Sequence, residues 1–164
     1  MRLKTRPYKL TDGPSVIRLA QELAAHHGEQ SRLTEEFLRH AVDRPEIRII
    51  VATDRTLQPV AFAAMQRCIS LPHASDIVHI DNIVVGHDVR KQGFGAELVR
   101  AAARHTVHTG AQALALTFRR ENDIARHFCE RMGFGVSTWT SCDDRAEING
   151  AALKALATPS TQMT

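Results

Sequence analysis

Between Val84 and Leu98 the chain reads Val84-Val85-Gly86-His87-Asp88-Val89-Arg90-Lys91-Gln92-Gly93-Phe94-Gly95-Ala96-Glu97-Leu98. An apolar, β-branched run, Ile83 to Val85, enters a polar turn, and a basic loop punctuated by Gly93 and Gly95 opens into a helical pattern. Strand, glycine loop and helix start, in that order, make an anion site. The first amides of a helix have no intrahelical acceptor, and they carry about half a positive charge. Glycine lets an anion approach the backbone closely, and Arg90 and Lys91 add long-range attraction. The segment predicts a phosphorylated cofactor. Gly-x-Gly-x-x-Gly, the dinucleotide fingerprint, fails because Leu98 stands three after Gly95, and no Gly-x-x-x-x-Gly-Lys-Ser/Thr occurs in the chain.

A second segment, Asn122-Asp123-Ile124-Ala125-Arg126-His127-Phe128-Cys129-Glu130-Arg131-Met132-Gly133-Phe134, reads as one short helix. Asn122 is a good N-cap, Ile124, Phe128 and Met132 share a face by spacing, and Gly133 is placed to end it. A strand-like run, Ala113 to Phe118, precedes it.

The first segment, as Arg-x-x-Gly-x-Gly-Ala, resembles the pyrophosphate-binding motif of the GNAT superfamily of acyl-CoA-dependent N-acetyltransferases. The second, as Asn-x-x-Ala-x-x-Phe-x-x-x-x-Gly-Phe, resembles that superfamily's other cofactor-side motif, at the distance the superfamily places it. Residues 77–134 carry the specific match, and the general pattern can be followed from about residue 1 to 150. The resemblance implies an α/β (α+β) fold. Its sheet is mixed, mostly antiparallel, splayed between the fourth and fifth strands and flanked by helices, with acyl-CoA in the gap. It implies acetyl-CoA as co-substrate, no metal, and direct transfer to the primary amine of a small molecule or peptide. A homodimer is compatible with it.

The resemblance also assigns roles. Arg90, Lys91, Gln92, Gly93, Phe94, Gly95 and Ala96 would hold the pyrophosphate. The backbone of Ile83, Val84 and Val85 would pair with the pantetheine arm and polarise the thioester carbonyl, the kind of preorganised donor that lowers such barriers most. Asn122 would touch the pantetheine side. Asp81 stands where polyamine-acetylating members carry an acidic residue, and His79 stands where histone-type members carry glutamate. Two apart on a strand, His79 and Asp81 share a face whatever their roles, and an imidazole's ordinary pKa near 6.5 suits a base. Members commonly carry a tyrosine acid at the place of Cys129. A thiol can donate a proton there, or serve as a small buried hydrophobe. Lys91 is a second departure, where many members carry glycine.

Arg2 to Leu10 predicts a first strand, and Thr11 or Asp12 a cap for a helix over Pro14 to Ala25. A second helix is expected over Thr34 to Val42, and a hairpin from Ile47–Thr53 and Pro59–Gln66. A loop at Ser70–Ser75, a strand over Ile77–Val85, the glycine loop and a helix to His108 come next. Val136 to Cys142 predicts another strand, and Ala146 to Ile148 a last short one. His26 and His27, beside Glu29 near the end of the first helix, have no third metal ligand in view; Arg119 and Arg120 read as a solvated pair ahead of a contact to the cofactor's phosphates, and Trp139 as core or a dimer contact.

With 164 residues and 43% hydrophobic content, the chain has enough apolar material for one domain, expected over residues 1–158, with a polar, mobile tail at 159–164. No apolar run approaches the roughly 20 residues of a membrane span. Three irregularly spaced cysteines, Cys68, Cys129 and Cys142, favour a reducing cytoplasm over secretion. A net charge of +3 suits an anionic cofactor and is too small to argue for nucleic acid.

Overall fold

A computed structural model describes residues 3–159. Seven strands are present: β1 (Lys4–Pro7), β2 (Ile47–Thr53), β3 (Pro59–Ser70), β4 (Ser75–Val85), β5 (Ala113–Arg119), β6 (Gly135–Thr138) and β7 (Asp143–Asn149). Five α-helices accompany them: α1 (Gly13–His26), α2 (Glu35–Val42), α3 (Phe94–His108), α4 (Asp123–Arg131) and α5 (Gly150–Ala157). The strand order is β1-β2-β3-β4-β5-β7-β6, and β4–β5 is the parallel pair of this mostly antiparallel sheet. The fold class is therefore the expected one.

The chain forms two compact units, residues 1–66 with 82–99, and residues 67–81 with 100–164. In the first, β2 pairs with β1 and with β3, register Ile47↔Gln66 to Thr53↔Pro59, so the expected hairpin is present. Val16 and Leu19 of α1, Leu38 of α2, Ile49 and Val51 of β2, Phe62 of β3 and Val84 of β4 form one buried cluster. Each such side chain contributes about 1.5–3 kcal/mol by leaving water. Thr34 caps α2, its hydroxyl accepting from the Phe37 amide at 3.1 Å.

Asp12 departs from its expected role. It precedes α1, with Pro14 in the first turn, but its side chain accepts from no amide of α1. The carboxylate turns back to Arg6, accepting from Nη1 at 2.6 Å and Nη2 at 2.9 Å, and from the Lys9 amide at 2.8 Å. A bidentate guanidinium outcompetes a single capping amide. It holds the buried Asp12 carboxyl below the usual aspartate range.

In the second unit, β4 and β5 run parallel from Ile77↔Ala113 to Ile80↔Leu116, and β7 pairs with β5 along its whole length. The Val136–Cys142 expectation is too long: β6 ends at Thr138, and a turn follows in which the Trp139 and Thr140 amides both donate to the Asp143 carbonyl. Conversely, β7 is seven residues, not three, because Asp144, Ala146 and Ile148 alternate inward on a strand paired on both edges. Helix α5 was not expected at all. The predicted tail at 159–164 lies outside the described residues after Pro159.

Candidate functional site

Gly86 leaves β4 with its amide on the Val60 carbonyl at 2.9 Å, and a short 3₁₀ turn, His87–Val89, carries the chain into the basic loop. Lys91 then adopts φ +61° and Gly93 φ +88°. Two left-handed residues flanking Gln92 fold the loop back so that α3 begins at once. The first helical bond runs from the Glu97 amide to the Gly93 carbonyl at 3.0 Å. The amides just before Glu97 therefore precede the helical ladder, at the electropositive end of α3. Gly93 is exposed and Gly95 half-buried. A Cβ built on Gly93 would meet the Leu3 side chain at 3.6 Å, an ordinary contact, so its need for glycine is conformational rather than steric. Arg90 and Lys91 are exposed, and Arg90 Nε reaches back to the Val85 carbonyl at 3.4 Å. Arg90 to Ala96, the loop residues expected to hold an anion, follow one another through this turn into the first turn of α3. Lys91 in the left-handed region also gives a physical reason for glycine being common there.

Strand β4 carries the other chemistry. Val84 is buried in the first unit's core, while Ile83 and Val85 are half-buried beside it. Further back, His79 Nδ1 lies 3.1 Å from Asp81 Oδ1, so the two candidate bases are brought together on one face. Simple alternation fails after Asp81: Asp81 and Asn82 are both exposed, and the β4–β5 register ends at Ile80↔Leu116 while both strands continue.

On α4, Asn122 is the N-cap, its Oδ1 accepting from the Ala125 amide at 3.0 Å. The helix is rotated from the expected face. Ile124 is exposed, Phe128 and Met132 are half-buried, and Cys129 is the buried residue, 1% exposed. Burial pushes its thiol up to about 11. Among the described residues, no group of three His, Cys, Asp or Glu side chains could hold a metal ion, and no helix is long and apolar enough to cross a membrane.

Arg120 is exposed, as expected, and is also bonded within the fold. Its Nε donates to Asp144 at 3.0 Å and its Nη2 to the Thr140 carbonyl at 2.6 Å, while Arg126 of α4 donates to the other Asp144 oxygen. The buried Asp144 thus clamps α4 to β7 through two guanidinium groups. Trp139, read as core or a dimer contact, is half exposed, with the Arg145 guanidinium 4.5 Å from its ring centre. Arg145 also donates to Glu147 at 3.1 Å, and Glu147 meets His73 at 3.0 Å. The sequence reading missed this polar group because β7 was seen only as three residues.

Strand β4 pairs in parallel with β5, and a loop with two left-handed residues leads into α3. The chain matches the Acetyltransferase (GNAT) family over residues 15–134, and it belongs to that family. Among solved structures, it is similar to PaiA N-acetyltransferase of Thermoplasma acidophilum in complex with coenzyme A, at 16% identity and TM-score 0.75, covering 92% of this chain and 100% of that one. It is similar to a variant of the spermidine N-acetyltransferase SpeG of Vibrio cholerae, at 17% identity and TM-score 0.73, covering 92% and 95%. NAA60 of Arabidopsis thaliana in complex with a bisubstrate analogue gives 16% identity and TM-score 0.69, covering 89% and 95%.

Proposed function

We propose that the chain transfers the acetyl group of acetyl-CoA directly to a primary amine of a small molecule or peptide. The observation that carries this reading is the loop before α3, where Lys91 and Gly93 are left-handed and the first helical bond runs only from the Glu97 amide. Structural neighbours crystallised with coenzyme A or a bisubstrate analogue, and one that is a spermidine N-acetyltransferase, support it.

Acetyl-CoA supplies the acetyl group as a thioester, whose thiolate is a good leaving group. The chain's own residues do the rest. Amides from Gln92 to Ala96, with Arg90 and Lys91, bind the diphosphate. Backbone groups of Ile83 to Val85 align the pantetheine arm in strand fashion, and an amide of this stretch polarises the thioester carbonyl. Asn122 starts α4 and borders the pantetheine. The His79–Asp81 pair, earlier on the same strand, takes a proton from the acceptor nitrogen as the C–N bond forms and the C–S bond breaks. We assign protonation of the departing thiolate to solvent, because Cys129 is 1% exposed and therefore shielded from exchange.

The test is release of free thiol from acetyl-CoA against a panel of polyamines, aminoglycosides, amino acids and peptide N-termini, with the acetylated product identified by mass spectrometry. Thiol release matched mole for mole by an N-acetyl product is expected. Tight coenzyme A binding with no transfer to any amine class would instead favour an acyl-CoA-binding regulatory module of the same fold, a reading motivated by the buried cysteine in the usual tyrosine's place.

A further inference from the structure

We propose a second, separate activity: Ser70, His73 and Glu147 form a nucleophile, base and carboxylate triad that cleaves carboxylic esters with a good leaving group. It stands apart from the acetyltransferase reading and needs no coenzyme A.

The three side chains make one hydrogen-bonded line inside the second unit. Ser70 Oγ lies 2.7 Å from His73 Nδ1, and His73 Nε2 lies 3.0 Å from Glu147 Oε1. Ser70 ends β3, His73 stands in the turn that follows, and Glu147 comes from β7. A carboxylate only accepts hydrogen bonds, so the ring nitrogen facing Glu147 carries the hydrogen. The neutral ring then keeps its lone pair on Nδ1, and Ser70 must donate to it. Those are the roles of a hydrolytic triad, with the ring turned round so that Nδ1 rather than Nε2 meets the serine. Glu147 is itself held in place. Arg145 Nη2 donates to its Oε2 at 3.1 Å, and the Arg145 guanidinium lies over Trp139. Two buried side-chain atoms, Ser75 Oγ and Arg145 Nε, have no hydrogen-bond partner among the described residues. Ser75 begins β4 on the other side of the turn from Ser70, so its idle hydroxyl is a donor for an oxyanion. Ser70 is 8% exposed while residues 71–74 are all exposed, which sets the hydroxyl just beneath a surface turn.

In the first step, Ser70 Oγ bonds to the ester carbonyl carbon as its proton passes to His73 Nδ1, and the carbonyl oxygen takes the negative charge. The bond to the leaving oxygen then breaks, the alcohol departs with the Nδ1 proton, and Ser70 is left acylated. Water, giving a proton to the same nitrogen, attacks the acyl carbon, releases the carboxylic acid and restores Ser70. Glu147, 3.0 Å from the ring, balances the imidazolium in both steps.

The probe is an alkyl fluorophosphonate, because an activated serine displaces its fluoride and keeps the phosphonyl group. Incubated without coenzyme A, the full chain is expected to gain one phosphonyl group, placed on Ser70 by peptide mass spectrometry. Labelling should vanish in Ser70→Ala, slow by at least about 100-fold in His73→Gln, and slow by at least about 10-fold in Glu147→Gln. Hydrolysis of p-nitrophenyl acetate should fall in the same order. Thermal unfolding of each variant separates lost chemistry from a lost fold, and the wild-type adduct needs no variant at all. An unlabelled Ser70 in the wild type, or a folded His73→Gln protein labelled at the wild-type rate, would overturn the triad. Because coenzyme A is absent throughout, neither result bears on acetyl transfer to amines, so the two activities fail separately.

Discussion

Replacing Gly93 by alanine separates backbone conformation from bulk, because the added Cβ meets only the Leu3 side chain at 3.6 Å. The cost comes from φ, which is +88°. Holding an L-residue in the left-handed region costs about 1–2 kcal/mol, which for a chain this size lowers Tm by roughly 2–8 °C. If the loop relieves that strain by rotating to negative φ, the Gly93 and Phe94 amides swing away from the diphosphate. Each charge-assisted hydrogen bond is worth about 1.5–3 kcal/mol, so losing two weakens coenzyme A binding by at least about 100-fold. Gly110, at the far end of α3 with φ +76° and open space where a Cβ would stand, is the control. Gly110→Ala should lower Tm by a similar amount and leave coenzyme A affinity unchanged. Titration calorimetry and thermal unfolding on the two variants read both quantities. A Gly93→Ala protein that loses stability yet binds coenzyme A within threefold of wild type would refute the reasoning, since the amides would then not be the grip.

Lys91→Gly should act with the opposite sign on stability, gaining about 0.5–1 kcal/mol in urea unfolding by removing left-handed strain, while the lost cation makes coenzyme A binding less salt-dependent. Asp12→Ala should cost about 2–4 kcal/mol at pH 7 by leaving Arg6 and the Lys9 amide without their acceptor. Because the folded carboxyl of Asp12 lies below its unfolded value, its contribution is complete above about pH 3.9 and fades as pH falls through the folded pKa, so wild type and variant should converge under acid. Asp144→Ala removes the acceptor of both Arg120 and Arg126 and should cost about 3–5 kcal/mol by chemical denaturation, with α4 the first segment to exchange its amides. Cys129→Ala should keep kcat within about threefold, and the native Cys129 thiol, pushed up to about 11, should resist a disulfide reagent that labels the exposed Cys142. A drop of about 100-fold in kcat would make that thiol the acid.

Local chemistry made much of this scaffold legible. Asn122 is read as a helix start because its side-chain oxygen can accept from an amide three residues on, and it does so. The glycine loop was readable because φ values of +61° and +88° leave a mark in residue choice at Gly93, though not at Lys91. What stayed hidden depends on partners distant in sequence. Asp12 resembles a cap until Arg6 is folded against it. Ile124 matches Phe128 and Met132 in spacing, yet packing selects the Cys129 side of α4 and leaves Ile124 85% exposed. Segment 143–149 is too polar to announce a strand paired on both edges, because Asp144 occupies an inward position that two arginines neutralise. Helix α5 has a readable signal in Ala151-Ala152-Leu153-Lys154-Ala155-Leu156-Ala157, all strong helix formers.

The placement of β7 between β5 and β6 has a consequence for the life of the chain before it is whole. Any fragment ending short of Asp143, by a stalled ribosome or a protease cut in the 139–142 turn, would present Ala113-Leu114-Ala115-Leu116-Thr117-Phe118 with a bare hydrogen-bonding edge. Six residues so apolar and uncharged make a template for aggregation, so quality control of this protein hinges on its seventh strand arriving intact.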